Sequence, residues 1–164
     1  MEEKNITLRF RLSDDAGDLE TADKILLEKA HQSALNAYAP YSRFRVGAAI
    51  RLDNGMIITG NNQENAAYPS GLCAERVALF AASAQFPGSV IEAVAVAIDT
   101  DKHEIIQPVS PCGACRQVLA EYEHRQGKEI RIIFSGETGK TVTVDGMNNL
   151  LPMTFTANNL KKSK

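Results

Sequence analysis

The chain has 164 residues, of which 44% are hydrophobic, so it is long enough to bury one substantial core. Its 18 Lys and Arg residues stand against 20 Asp and Glu residues, and the net charge of −2 argues against a nucleic-acid-binding or membrane-binding surface. No apolar run of about 18 residues predicts a membrane span, and the polar residues 1–5 are unlike a signal peptide. The odd number of cysteines, three, argues against a disulfide framework and predicts a reducing compartment, the cytoplasm.

An arm and a helix are predicted at the start of the chain. Residues 6–12 alternate between apolar and polar side chains, which favours a short strand or an arm lying on the domain. Apolar residues at three- and four-residue spacing then predict a helix with one apolar face over 19–37, ended by Pro40. We therefore expect an N-terminal arm over 1–17 and a single domain over 18–164.

A hairpin, followed by alternating helices and strands, is predicted for the rest of the chain. The apolar stretches 46–52 and 56–59 flank Asn54-Gly55, whose positive φ angles favour a tight turn. The remaining predicted elements are a helix over 72–86, a buried strand over 90–98, a helix over 112–126, strands over 130–134 and 141–144, a short helix over 148–151 and a loose tail over 160–164. This order predicts an α/β fold in which helices cover both faces of one mixed sheet.

Two short motifs hold all three cysteines, and they are Cys73-Ala74-Glu75-Arg76 and Pro111-Cys112-Gly113-Ala114-Cys115. Three thiolates can bind zinc and leave the fourth position of its tetrahedron for water, as in catalytic zinc sites. A carboxylate beside that position, here Glu75, can move the protons of the bound water. Zinc deaminases have this signature, a His or Cys followed by x-Glu and later by Pro-Cys-x-x-Cys.

Both motifs lie at predicted helix starts, which favours one shared metal site. Cys112 and Cys115 are three residues apart and so share a helical face. Three thiolates around Zn²⁺ leave a net charge of −1, which two helix N-termini would help to offset. Arg76, next to Glu75, is the side chain best placed to donate to the thiolates and keep the zinc acidic.

Each motif alone has a simpler interpretation. A Cys-x-x-Cys motif can be a redox pair or half of a structural zinc site, and Cys-Ala-Glu alone carries little information because cysteine is often a small buried residue. A closed structural site needs a fourth ligand, and His31, His103 and His124 lack ligand spacing to the cysteines. The combination of both motifs, with Glu75 at the correct offset, favours catalytic zinc.

The chain resembles the small, homotetrameric class of zinc-dependent cytidine deaminases. Four blocks carry the resemblance, and they are residues 38–49, 62–68, 112–117 and 150–155. The likeness spans roughly residues 20–158, nearly the whole chain. It implies a three-layer α/β/α fold with a five-stranded mixed sheet, in agreement with the predicted elements.

Carried over residue by residue, the resemblance implies the composition of the site. It makes Cys73, Cys112 and Cys115 the ligands of one zinc ion per chain and Glu75 the proton shuttle. The implied substrate-binding residues are Phe44, Asn62, Glu64, Ala66, Ala74 and Phe155. Among these, Phe44 would pack on the pyrimidine, and Asn62 and Glu64 would hold the ribose hydroxyls. Phe155 would reach into a neighbouring subunit's site, so the resemblance implies a homotetramer with active sites near subunit interfaces.

The implied activity is hydrolytic deamination of cytidine and deoxycytidine by zinc-bound hydroxide, a step of pyrimidine salvage. The Glu64 carboxylate near the sugar predicts a nucleoside rather than a nucleotide substrate, and no nucleic-acid or membrane partner is expected. Two alternatives remain open at this point. One is a sister zinc deaminase acting on blasticidin-like antibiotics or polynucleotide bases; the other is a non-catalytic zinc-stabilised binding module.

Overall fold

A mixed sheet with α-helices on both faces forms the centre of the computed structural model, which describes residues 1–102 and 104–160. Its α-helices are α1 Thr21–Ala34, α2 Ala74–Gln85 and α3 Gly113–Gln126. Its strands are β1 Arg11–Ser13, β2 Phe44–Leu52, β3 Ile57–Asn61, β4 Ile91–Thr100, β5 Arg131–Ser135 and β6 Thr141–Asp145. The strand order is β1-β6-β5-β4-β2-β3, with β4 and β5 parallel and every other neighbouring pair antiparallel.

The two faces of the sheet have separate cores. Helix α1 packs Leu26, Leu27 and Ala30 against the alanine-rich face of β2 and β4, together with Ile133 of β5. Helices α2 and α3 pack on the opposite face against the larger aliphatic side chains of β2, β4, β5 and β6. Strand β4 is buried on both sides because it lies between these layers, which explains its nearly continuous apolar sequence. The predicted three-layer α/β/α fold is confirmed.

The sheet has six strands, so the expectation of five is wrong in this detail. The additional strand is β1, which pairs antiparallel with β6 through Leu12 and Val142. An ion pair between Arg11 and Asp145, 2.8 Å long, joins the same two strands. Alternating polarity at residues 6–12 favoured a strand or an arm but could not identify the edge it would join. Residues 1–10 have no regular secondary structure, and the boundary proposed at residue 17 stays a prediction.

The hairpin between β2 and β3 is present, but its turn differs from the predicted one. Gly55 adopts φ 81°, whereas Asn54 does not have a positive φ. The Gly55 amide bonds the Leu52 carbonyl and the Leu52 amide bonds the Met56 carbonyl, both at 2.9 Å. The loop is therefore longer than the predicted Asn54-Gly55 turn. It needs a positive φ only at Gly55, which follows the turn.

The cysteine motifs sit at the starts of helices, close to the predicted positions. Cys73 and Cys112 are the N-cap residues of α2 and α3, so each helix begins one residue later than its first cysteine.

Gly127 ends α3 in the left-handed region at φ 65°, as its sequence position predicts. Apart from Leu160, the predicted loose tail over 160–164 lies outside the described residues. No helix in the described ranges is long and apolar enough to cross a membrane.

Candidate metal centre and active-site cleft

The three cysteine sulfurs form one cluster. All three Sγ atoms lie within 4.8 Å of one another, with 3.9 Å between Cys73 and Cys112 and 3.5 Å between Cys112 and Cys115. Tetrahedral zinc with Zn–S bonds of about 2.3 Å requires sulfurs about 3.8 Å apart. The donor set and its spacing therefore fit zinc, with three protein ligands and one position left over.

Helix geometry brings the sulfurs together. Cys73 and Cys112 have extended backbones as N-caps, and Cys115 lies in the first turn of α3, fully buried. The positive ends of both helix dipoles therefore lie beside the cluster and favour the thiolate form of the cysteines.

Hydrogen bonds within the cluster shift the pKa values of Cys73 and Cys115 in opposite directions. A hydrogen bond from the Cys115 thiol lowers the pKa of Cys73 to about 5, assisted by Arg76 and Cys112. Arg76 Nη2 lies 3.6 Å from Cys73 Sγ, within hydrogen-bonding distance of a sulfur acceptor. The pKa of Cys115 is raised because its thiol donates to Cys73 and is buried. Without metal, the Cys73 thiol therefore ionises before the Cys115 thiol.

Glu75 is the buried carboxyl of this site. It lies in the first turn of α2 with 4% of its surface exposed. Burial raises its pKa, and the negative charge of Cys73 raises it further. A carboxyl whose pKa is raised holds a proton more readily than a free carboxyl, which favours its role in a proton shuttle.

A cavity of about 650 Å³ opens above the cluster. Four of the residues expected to bind substrate line it, namely Phe44, Asn62, Glu64 and Ala74. Cys73, Cys112, Glu75 and Arg76 line it as well, so the cavity opens onto two of the three cysteines and onto the buried carboxyl. Ala66 and Phe155 are not part of this lining, and Phe155 is 59% exposed.

Asn62 and Glu64 already have partners within the chain. Asn62 accepts a 2.7 Å hydrogen bond from the Val46 amide and donates one of 2.9 Å to the Phe44 carbonyl. Glu64 accepts hydrogen bonds from the amides of Tyr41 and Ser42 at 2.9 and 3.2 Å. Partial burial alone would raise the pKa of Glu64, but the hydroxyl of Ser42 and these two amides outweigh it and lower the pKa. Both side chains therefore shape the wall of the cavity, whatever else they bind.

Two tyrosines in the cavity lining had no role assigned from the sequence. The rings of Tyr41 and Tyr68 meet edge to face with centroids 6.3 Å apart. Both tyrosines lie within blocks that carry the family resemblance, but nothing in the sequence indicates that these two rings touch. Arg43, between Tyr41 and β2, has a left-handed φ of 55°, which is uncommon for a residue with a side chain.

The histidines in the described ranges are not part of the cluster. His31 lies on α1, which covers the opposite face of the sheet, 3.4 Å from the Ser135 hydroxyl. His124 is exposed in the last turn of α3, far along the helix from its first turn. His103 lies outside the described residues.

Gly60 sets the distance between the sheet and the helix that carries Glu75. A Cβ at Gly60 would lie 2.5 Å from Ala78 N and 2.9 Å from Ala74 O, both backbone atoms of α2. We expect Gly60→Ala to cost about 1–3 kcal/mol of stability by overpacking. Because it displaces α2, it should also lower kcat by about 100-fold, the cost of a misplacement of about 1 Å.

Gly47 provides the matched control for this experiment. It faces the other layer, where a Cβ would lie 2.5 Å from Ala34 N and closer still to Ala30 O, both backbone atoms of α1. Gly47→Ala should therefore lose at least as much stability, measured by denaturant unfolding, while kcat per zinc-loaded chain stays within a few-fold of the parent. Equal losses of kcat in the two variants would show that Gly60 has no specific effect on the site.

Comparisons with known proteins agree with this geometry. Residues 20–127 match the family described as the cytidine and deoxycytidylate deaminase zinc-binding region. A cytidine deaminase of Halalkalibacterium halodurans is 41% identical over 137 residues, which cover 84% of this chain and 96% of that protein. The crystal structure of a cytidine deaminase from Burkholderia pseudomallei superposes with a TM-score of 0.69 at 38% identity, covering 80% of this chain and 97% of that one. For a cytidine deaminase from Mycobacterium tuberculosis the TM-score is 0.63 at 32% identity, covering 84% and 99%.

Proposed function

This chain belongs to the cytidine and deoxycytidylate deaminase family, and we infer that it is a zinc-dependent hydrolase that converts cytidine and water to uridine and ammonia. The observation that carries this inference is the position of Glu75, whose buried carboxyl lines the same cavity as Cys73 and Cys112. The cavity volume of about 650 Å³ lies within the range of about 300–1,000 Å³ that is usual for small-molecule sites.

The three thiols and Glu75 divide the chemistry between them. Cys73, Cys112 and Cys115 would hold one zinc ion, which when bound supplies a Lewis acid that lowers the pKa of a water ligand toward about 7. We propose that Glu75 accepts a proton from that water and donates it to the ring nitrogen beside the carbon that bears the amino group. The water oxygen would bond to that carbon, Glu75 would carry the second proton of the water to the amino group, and the carbon–nitrogen bond would break to release ammonia. The raised pKa of Glu75 supports both directions of transfer.

Arg76 would keep the thiolates from donating too much charge to the metal. Its guanidinium lies 3.6 Å from the Cys73 sulfur, so part of the negative charge of that sulfur is directed toward Arg76. Such neighbours of metal ligands tune the acidity of the metal.

The walls of the cavity would hold the nucleoside. Phe44 offers a ring to the pyrimidine, and Ala74 lies beside the metal cluster at the same wall. Asn62 and Glu64 each have hydrogen-bonding capacity beyond the backbone contacts that they make, and we propose that they direct it to the ribose hydroxyls. This arrangement places no demand on a 2′-hydroxyl, so we propose that deoxycytidine is also a substrate.

Charge in the cavity favours a nucleoside over a nucleotide. Glu64 and Glu75 line it, and within the described ranges the one cationic residue of the lining is Arg76, which is engaged with Cys73. Lys102 acts on Glu64 more weakly than the hydrogen bonds do and lies outside the lining. A phosphate about 4 Å from a carboxylate costs about 1–4 kcal/mol, depending on the local dielectric constant.

We therefore expect kcat/KM for cytidine to exceed that for cytidine monophosphate by at least about fivefold, the factor that corresponds to about 1 kcal/mol. Ammonia release from cytidine, deoxycytidine, cytidine monophosphate and deoxycytidylate, assayed side by side, measures this ratio. Glu64→Gln is the control, because removal of its charge should narrow the gap between nucleoside and nucleotide. A preference for either monophosphate would contradict the proposal, and ammonia release from none of the four would overturn the function itself.

We also propose a cytoplasmic homotetramer in which Phe155 completes a neighbouring subunit's site. Its exposed ring, outside the cavity of its own chain, supports this role. The unpaired thiols of the cluster support a reducing compartment, and the substrate places the enzyme in pyrimidine salvage.

A further inference from the structure

We propose that Arg116 is a positioning residue that ties the loop carrying the first cysteine of α3 to the C-terminal segment. We call residues 109–112 the metal loop and residues 150–155 the C-terminal segment. The guanidinium of Arg116 bonds both of them. Nε donates to the Pro111 carbonyl at 2.8 Å, Nη2 to the Ser110 hydroxyl at 2.7 Å and Nη1 to the Leu150 carbonyl at 3.0 Å.

Arg116 holds the two middle residues of the metal loop, whereas the Val109 amide at its start bonds the Ser135 carbonyl at 3.3 Å. Ser110 lines the cavity, and Pro111 is buried and has no amide hydrogen to donate. Cys112 is exposed, and its own side chain makes no capping hydrogen bond to α3. Two consecutive residues immediately before Cys112 are therefore held by one guanidinium from the following helical turn, which fixes the direction from which the Cys112 sulfur enters the cluster.

The C-terminal segment is bound to α3 by two neighbouring side chains. Arg116 holds it at Leu150, and Gln117 Nε2 donates to the Phe155 carbonyl at 2.8 Å. The side chain of Arg116 bonds both the metal loop and the C-terminal segment, whereas that of Gln117 bonds the C-terminal segment alone. Gln117 is therefore a matched control within the same turn of helix.

A lysine at position 116 could not reproduce these contacts. The three bonds leave from three different nitrogens of one planar group, toward acceptors in two segments of chain. A lysine ammonium is a single point of donation on a flexible stem and cannot hold this fork geometry. Arg116→Lys therefore keeps the positive charge and removes the three directed hydrogen bonds, so it separates electrostatic from positional effects.

The inference rests on the proposed function in one respect, namely that Cys112 binds zinc. Residues that orient a metal ligand without touching the metal typically contribute about 10–100-fold to metal affinity. We expect Arg116→Lys and Arg116→Ala to weaken zinc binding by at least about tenfold, measured by competition with a chromophoric chelator in the absence of substrate. Both variants should also speed the proteolytic cleavage of the C-terminal segment.

Gln117→Ala should speed cleavage of the C-terminal segment and leave zinc affinity at the parent value. Zinc affinity unchanged in Arg116→Lys, or reduced equally in Gln117→Ala, would overturn the proposal. If Arg116→Ala does not fold, the lysine variant alone decides. Because zinc affinity is read without substrate, a parent protein that binds zinc but deaminates nothing would refute the proposed function and leave this inference standing.

Discussion

Glu75→Gln is expected to abolish turnover while leaving one zinc ion bound per chain. Glutamine has the size and shape of glutamate but cannot accept and return a proton, so it removes the shuttle without opening a cavity. General acid–base catalysis contributes about 10²–10⁴-fold, and Glu75 is assigned more than one transfer, so we expect a loss near the upper value. Steady-state deamination of cytidine and metal analysis of the same preparation measure the two quantities together.

The loss must be specific to this carboxyl to support its role. Glu121 on α3 is exposed, so Glu121→Gln makes the same chemical change away from the cavity and should keep full activity. The raised pKa of Glu75 adds a second expectation: burial and the charge of Cys73 disfavour the ionised carboxyl in the folded state, so the glutamine variant should unfold at the same or a higher denaturant concentration than the parent. Activity of Glu75→Gln within about tenfold of the parent would exclude the proton shuttle.

The sequence predicted the layers of the fold and the meeting of Cys112 with Cys115 because each depends on local spacing, whereas the addition of Cys73, 39 residues before Cys112, was predicted from the combined motif signature. Cys112 and Cys115 are three residues apart at a helix start, so their meeting follows from helix geometry alone. The burial of β4 follows from its unbroken apolar run, since only a strand covered on both faces tolerates one.

What the sequence did not predict depends on contacts between distant residues. The pairing of β1 with β6 joins positions about 130 residues apart, and alternating polarity at residues 6–12 is compatible with any open edge. The hydrogen bonds of Asn62 to Phe44 and Val46 are of the same kind, because an Asn after a strand usually indicates a turn. The three hydrogen bonds of the Arg116 guanidinium and the ring contact between Tyr41 and Tyr68 likewise form only in the folded chain.

These long-range contacts change the meaning of the predicted site residues. Asn62 supports the first residues of β2, and Glu64 supports the backbone just before it, so substitution of either one alters the wall of the cavity as well as any contact with ribose. A rise in KM on mutation is therefore not by itself evidence for contact with the sugar. The comparison of nucleoside with nucleotide on the Glu64→Gln background avoids this ambiguity, because the altered wall affects both substrates.

Removal of one cluster sulfur should reduce zinc content, deaminase activity and stability together. Cys112 is the informative position because it is exposed, whereas Cys115 is fully buried and its loss would also leave a cavity. We expect Cys112→Ala to purify with little or no zinc and to release no ammonia from cytidine. Two remaining thiols cannot hold the ion as three do.

The stability of the same variant distinguishes metal loss from a packing defect. At a free zinc concentration 1,000 times the dissociation constant, binding stabilises a folded protein by about 4.1 kcal/mol. For a chain of this size each 1 kcal/mol shifts Tm by about 2–4 °C, so a chelator should lower the Tm of the parent by about 8–16 °C. Cys112→Ala should melt where the chelated parent melts and should not respond to chelator. A variant that kept the parent Tm and its zinc would show that this sulfur is no ligand, since the stabilisation follows the ion and not the side chain.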